Sequence, residues 1–357
     1  MTRAGTESTS TVASAKHREI GVGVVGLGLM GRVHVEAYAA AARDGHACRL
    51  VAVSDRDPKN LSGRSSARGN LHEDGTTRRL FDPSVVRTGV DAHDVFAHPD
   101  VELVSICTPT DTHVALATAA LRAGKHVLLE KPVSLDPLEI DALARVAAES
   151  GRFCMPAMCM RFWPGWSWLA EAVRDGRYGR VTSAVFQRNG SRPTWGAGFY
   201  ADPRRSGGAL FDLHVHDVDF VRHLFGEPES VESTGSLDHV TTLYRYPSGP
   251  AHVVAEGGWD HAPGFPFRMR YVVVFEGATA EFDLRRDPPL EIARGGKLEP
   301  VVLGAGSGYD GEIRHALECV AEARPEAGVT LAEAAAVTRL LIRERESFTR
   351  GIDRRVR

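Results

Sequence analysis

EIGVGVVGLGLMGRVHVEAYAAAARDG (residues 19–45) is the stretch from which the rest of the chain is best read. It begins with a short β-branched run, Ile20 to Val25, that carries no charge. Glycines follow at 26, 28 and 31, and then an alanine-rich stretch of helix formers. Strand, tight turn and helix in that order is the context that gives G-x-G-x-x-G its physical meaning. Gly26 permits the turn, Gly28 lets the backbone approach a pyrophosphate, and Gly31 lets helix and strand pack closely. Leu29 and Met30 complete the turn, where free N–H groups at the helix start face the phosphates of a dinucleotide.

A second strand, RLVAVSD, ends at Asp55, about two dozen residues past Gly31 and near the offset expected for the acid that binds a ribose. Its carboxylate accepts from the adenosine hydroxyls and repels a 2′-phosphate, which favours NAD over NADP. Arg56 keeps NADP open, because a guanidinium there can stack on adenine or bind that phosphate. VELVSICTPTDTH (101–113) reads as a buried strand broken at Pro109, and KHVLLEKPVSLDP (125–137) as another running into Glu130, Lys131 and Pro132. Strands alternating with helices imply a doubly wound parallel sheet, a Rossmann domain with its ligand at the carboxyl ends of the strands. Lys131 sits at such an end. A lysine there is ordinarily a solvated surface group, and position alone does not make it catalytic. Residues 61–93 are poorly patterned and read as a helix and a surface loop.

At 357 residues the chain is too long for one small core. A net charge of -3 gives no reason to expect nucleic acid or an anionic membrane as partner, and no apolar run is long enough to span a bilayer. Residues 1–18 are small and polar without an apolar h-region, so they read as a disordered tail rather than a signal peptide. Five scattered cysteines argue against a disulfide framework and for a reducing, cytoplasmic setting. The expected division is a tail (1–18), a dinucleotide-binding domain (19–134) and a second domain (135–357).

That second domain changes texture. After a helix over 137–149, WPGWSWLAEAVRDGRYG (163–179) is amphipathic, with Trp166 and Trp168 suited to its core face. Alternating strands follow at 180–188, 239–249, 251–259 and 268–284, joined by short turns. An α+β domain with an open, predominantly antiparallel sheet is expected. A closing helix over about 330–349, capped by Thr330 with Glu333 three residues on, can pack back on the first domain.

GGALFDLHVHDVD (207–219) crowds two histidines and three aspartates into otherwise apolar sequence. On a continuous helix Asp212 and His216 lie roughly 40° apart, with Asp219 and His223 on the same stripe. A metal site, a core helix with satisfied polar groups and an acid/base pair all fit such a stripe. His214 and Asp217 point to the far side and no Cys or Glu ligand motif accompanies the stripe, so no metal is expected. The favoured reading has Asp212 fixing the tautomer of His216 and stabilising its charged form, a base poised near neutral pH. Lys131 then stabilises a developing alkoxide from the cofactor side.

GLGLMG, Asp55, CTPTDTH, EKP, MRFWP and GGALFDLHVHDVD together resemble the Gfo/Idh/MocA oxidoreductases, the family of glucose–fructose oxidoreductase and inositol dehydrogenase. The resemblance implies hydride transfer between NAD(P) and a ring carbinol of a sugar, sugar derivative or cyclitol. It places the family's lysine on Lys131 and its D-x-x-x-H pair on Asp212 and His216. Thr108, Pro109 and His113 fall where the nicotinamide side is lined, and Arg161 and Trp163 where substrate contacts are common. It also implies a homodimer or homotetramer through the second-domain sheet. His214 departs from the pattern, standing where many members carry glycine; Asp217 is the expected partner for it. The same fold also serves NAD-dependent glycosidases, which oxidise transiently, and non-catalytic dinucleotide sensors. The loop 191–208 is expected to cover the pocket, with Arg192, Trp195 and Tyr200 as specificity residues.

Overall fold

Ile20–Val25 (β1) is buried along its whole length and takes a central place in a six-stranded sheet. With Cys48–Ser54 (β2), Arg87–Gly89 (β3), Leu103–Ile106 (β4), His126–Leu129 (β5) and Cys154–Pro156 (β6), the order is β3-β2-β1-β4-β5-β6, and every neighbouring pair is parallel. Leu29–Arg43 (α1), Ala92–Phe96 (α2), His113–Arg122 (α3) and Pro137–Ser150 (α4) connect the strands. The order reverses between β1 and β4, and at such a switch point the loops diverge and leave a crevice at the carboxyl ends. This computed structural model describes residues 18–65, 77–194, 196, 198–324 and 328–353. The expected tail and Trp195 therefore lie outside the described residues, Arg18 excepted.

The second sheet has eight strands: Val181–Ser191 (β7), Ser230–Gly235 (β8), His239–Arg245 (β9), His252–His261 (β10), Arg268–Phe275 (β11), Thr279–Asp283 (β12), Leu290–Arg294 (β13) and Lys297–Pro300 (β14). They run in the order β8-β9-β10-β7-β11-β12-β13-β14, and only β10 and β7 pair in parallel. Pro164–Asp175 (α5) packs one face of this sheet, putting Trp166 against Phe186 and Tyr271 at ring separations of 5.6 and 5.4 Å. After the short Pro203–Ser206 (α6), Gly208–Asp212 (α7) and Val215–Phe225 (α8) cover the same face. Gly308–Ala321 (α9) then packs on α1, and Leu331–Asp353 (α10) packs on α4 as well as α8. Thr330 and Glu333 form the expected reciprocal cap: Thr330 N–H donates to Glu333 Oε2 at 2.9 Å and Glu333 N–H to Thr330 Oγ1 at 3.2 Å.

Two expectations need correcting. The parallel sheet does not end at residue 134, because Cys154–Pro156 is its sixth strand, pairing with β5. A three-residue strand carries too little pattern to be recognised. Nor is 61–93 only helix and loop, since it supplies the edge strand β3. The turn itself matches its reading. Gly26 has φ +85°, and a Cβ on Gly31 would stand 1.8 Å from the carbonyl oxygen of Gly26. A Cβ on Gly28 would meet nothing within 4 Å. Gly31 is thus dictated by packing inside the protein, and Gly28 is not. We expect Gly31→Ala to lower stability by about 2 kcal/mol or more, the scale of an overpacked core, read from denaturant titration. An unchanged midpoint would mean that helix and strand can part freely.

Candidate active site

The loops at the carboxyl ends of the parallel strands open into a cavity of about 450 Å³ that the second domain closes from the other side. Gly28, Leu29 and Met30 line it after β1, Thr108 and Pro109 after β4, and Glu130 and Lys131 after β5. Trp163, Tyr200, Asp212 and His216 line it from the second domain. At the Gly28 end, α1 starts with no side-chain cap and no acidic residue in its first turn. Its first N–H groups are left for an anion, and the open space over Gly28 admits one closely. Asp55 stands at the end of β2, accepting from the N–H groups of Leu27 at 2.6 Å and Asp57 at 2.8 Å. A carboxylate has lone pairs to spare beyond two such bonds, so the set fits a dinucleotide with a ribose at Asp55. Arg56 is exposed.

The helix carrying Asp212 and His216 is not continuous. Leu213 N–H and His214 N–H both donate to the carbonyl of Ala209, at 2.9 and 2.8 Å, and His216 N–H reaches Leu213 rather than Asp212. This one-residue slip opens the ladder. The Asp212 carbonyl it releases accepts from Lys131 Nζ at 2.6 Å, and Asp212 Oδ1 accepts from the same nitrogen at 3.2 Å. The expected Asp212–His216 pair is therefore absent: the carboxylate belongs to Lys131. His216 Nδ1 instead lies 3.9 Å from Cys159 Sγ. Burial, and then the charges of Lys131 and Arg188, push its pKa well below the ordinary 6.5. The imidazole is neutral at pH 7 rather than poised there.

Other assignments move as well. His113 does not line the cavity. It is buried behind it, with Nδ1 2.9 Å from the Pro132 carbonyl and Nε2 2.7 Å from that of Thr108, and so ties the two turns together. Arg161 does not line the cavity: its Nε and Nη2 donate to Asp219 at 2.9 and 2.6 Å, and its Nη1 donates to Glu333 at 2.7 Å. Arg192 is exposed, pairs with Asp238 and lies over the Trp259 ring at 5.8 Å; its neighbours Ser191 and Pro193 line the cavity and it does not. The partner of His214 is Glu344, at 3.1 Å, because Asp217 is taken by Arg188 Nε at 2.8 Å.

Arg188, Trp259 and Tyr309 line the cavity and were not anticipated. Arg188 had a signal, since it follows Ala184 and Phe186 on the buried side of an alternating strand. A cation on that face requires a buried acid. Trp259 and Tyr309 carried none beyond being aromatic.

The family profile described as the oxidoreductase family with an NAD-binding Rossmann fold matches residues 20–158. A second profile, the GFO/IDH/MocA C-terminal domain, matches 166–281. The chain belongs to the Gfo/Idh/MocA oxidoreductase family. It is 30% identical over 287 residues to inositol 2-dehydrogenase of Rhizobium meliloti, covering 76% of this chain and 78% of that protein. The scyllo-inositol 2-dehydrogenase (NAD(+)) of Bacillus subtilis is 26% identical, covering 82% of this chain and 74% of its own. Levoglucosan dehydrogenase in complex with NADH and levoglucosan shares the fold, with a TM-score of 0.78 at 21% identity over 93% of this chain and 98% of its own. None of the described helices is long and apolar enough to cross a membrane, and all five cysteines are free.

Two tests follow from this family site. Arg161→Met strands Asp219, which is 1% exposed, and should cost about 3–5 kcal/mol in a denaturant titration while NAD affinity changes little. A large affinity loss with unchanged stability would return Arg161 to the binding surface. The second concerns pH. His216 is neutral when folded and takes a proton below about pH 6.5 once unfolded, so protons favour the unfolded chain. Stability should fall as pH drops from 6.5 toward the lowered folded value, and His216→Asn should flatten that slope. An identical slope in the variant would place the acid sensitivity elsewhere.

Proposed function

We propose that the chain is an NAD-dependent dehydrogenase acting on a ring carbinol of a cyclitol or sugar, with His216 as base and Lys131 as electrostatic partner. The observation that carries this reading is the grip on Lys131. Its ammonium is fixed on two oxygens of Asp212 and lies in one cavity with His216 and the Gly28 turn. Bound there, the nicotinamide supplies a hydride acceptor at C4. The neutral imidazole of His216 takes the hydroxyl proton as C–H is cleaved. Lys131 and Arg188, whose charges depress that imidazole, stabilise the alkoxide that develops between them and it. Asp212 acts through Lys131: it aims the ammonium.

A cyclitol or sugar is supported by the inositol dehydrogenases among the relatives and by Trp163, Trp259 and Tyr200 on the wall, whose faces suit ring C–H groups. NAD rather than NADP is supported by Asp55. We assign self-association to the uncovered face of the second sheet, where Val272 is 37% exposed, and a reducing, cytoplasmic setting to a chain with free thiols.

A panel of cyclitols, monosaccharides and aryl glycosides with NAD and NADP, followed by the absorbance of reduced nicotinamide and of released aglycone, tests the assignment. Net reduction is expected with NAD; aglycone release without net reduction would make the chain a glycosidase. Lys131→Met should lower kcat at least about a hundredfold with NAD binding intact. The acid limb of kcat/KM should lie well below pH 6.5 and vanish in His216→Asn; a limb unchanged by that substitution would remove His216 as base. Asp55→Ala should weaken NAD far more than NADP.

A further inference from the structure

Away from the cavity, on the uncovered face of the second sheet, His239 at the start of β9 meets Asp260 and His261 at the end of β10. His239 Nδ1 is 2.7 Å from Asp260 Oδ1, and His261 Nδ1 is 3.6 Å from the same oxygen. One ligand atom from each of the three lies within 4.8 Å of the other two. We propose that His239, Asp260 and His261 form a binding site for one divalent transition-metal ion of the zinc class.

The spacing suits it. Ligands about 2.0–2.2 Å from a tetrahedral ion are about 3.3–3.5 Å apart, and the two observed separations bracket that range. Two imidazoles and one carboxylate are a donor set for zinc, cobalt or ferrous iron rather than for calcium or magnesium. His239 is also held from behind: Nε2 is 3.1 Å from Glu256 Oε1. Gln187 and Asn189 donate to Glu256 at 2.6 and 3.1 Å. A carboxylate behind a ligating imidazole fixes its tautomer, and here it turns Nδ1 toward Asp260.

His261 supplies the independent observation. Its Nδ1 is buried and has no hydrogen-bond partner, since 3.6 Å to Asp260 exceeds hydrogen-bond reach. The ring is fixed by stacking on Phe265 at 4.1 Å and lies against His239 at 5.6 Å. A buried ring nitrogen without a partner is costly in a polar cluster, and coordination satisfies it. The ion takes the place of the proton on His239 Nδ1, which is released. Asp260 is 53% exposed in its side chain, so this chain leaves the fourth position open to a water or to a donor from a second copy seated on that face. Trp259, on the cavity wall, is the preceding residue, so the ion braces the strand end that carries it.

The test uses the full chain without a histidine tag, stripped with chelator and titrated with Co²⁺ and then Zn²⁺. One equivalent of Co²⁺ should bind with the intense visible bands of a tetrahedral site, be displaced by Zn²⁺, and raise the thermal midpoint. Asp260→Ala and His261→Ala should abolish those bands, and Glu256→Gln should keep them while weakening affinity about 10–100-fold. His252→Ala, at the other end of β10, should change nothing. Near-ultraviolet circular dichroism and NAD binding establish that each variant is folded. No stoichiometric Co²⁺ at micromolar concentration, or bands that survive in folded His261→Ala, would overturn the site.

Discussion

The carbonyl oxygen of Asp212 is the atom on which the arrangement of the site turns. In an unbroken helix it would be consumed by the N–H four residues on. The slip at Leu213 and His214 releases it, and Lys131 Nζ takes it at 2.6 Å. Lys131 follows the fifth strand of the first sheet, whereas Asp212 ends a helix of the second domain. The bond therefore joins the two halves of the cavity at the point where chemistry is proposed. A carbonyl accepts without titrating, so Lys131 has an anchor besides the Asp212 carboxylate.

A second junction lies beneath the cofactor turn. His34 on α1 places Nδ1 3.0 Å from Ser105 Oγ and Nε2 3.0 Å from Glu130 Oε1, with Glu312 of α9 3.8 Å from that same Nε2. Burial pushes Glu130 up, but its hydrogen bond and attraction to His34 outweigh this and hold its pKa low. Burial and the neighbouring Glu130 push Glu312 well above the ordinary carboxylate value. The pair thus divides into one ionised and one protonated carboxyl around a single imidazole, as two acids sharing a buried site must. Glu130, adjacent to Lys131 and receiving its N–H at 3.2 Å, carries this arrangement to the edge of the cavity. The second domain enters it through Glu312.

What could be read beforehand was whatever is local. The glycine turn shows itself through the positive φ of Gly26 and the contact of Gly31 with Gly26, and the Thr330–Glu333 cap through contacts within four residues, so both were legible in the sequence. The outer strands β8, β13 and β14 were not, having little apolar alternation to distinguish them from loop. The polar residues of 207–225 were visible as a problem, but their partners come from positions 131, 161, 188 and 344. No periodicity reports which distant side chain arrives. The helical-wheel argument for Asp212 and His216 failed for the same reason: it assumed a continuous ladder, and tertiary contacts decide where a ladder breaks.

Those distant partners also account for why His216 is the group left free for the proposed proton transfer. Asp212 is matched to Lys131, His214 to Glu344, Asp217 to Arg188 and Asp219 to Arg161. The three aspartate pairings each neutralise a carboxylate that an apolar helix could not otherwise bury, and each draws its partner from a different element. His216 lines the cavity with only a thiol beside one ring nitrogen. Cys159 offers no competing anion, because burial and the nearby Glu312 and Glu130 keep its pKa well above the ordinary thiol value. The imidazole is thus held neutral first by its burial and then by Lys131 and Arg188, the cations that its acidic neighbours recruit. The polar stripe is not a row of interchangeable acid/base groups. Its three aspartates each hold a cation, and His216 faces the cavity without a carboxylate beside it.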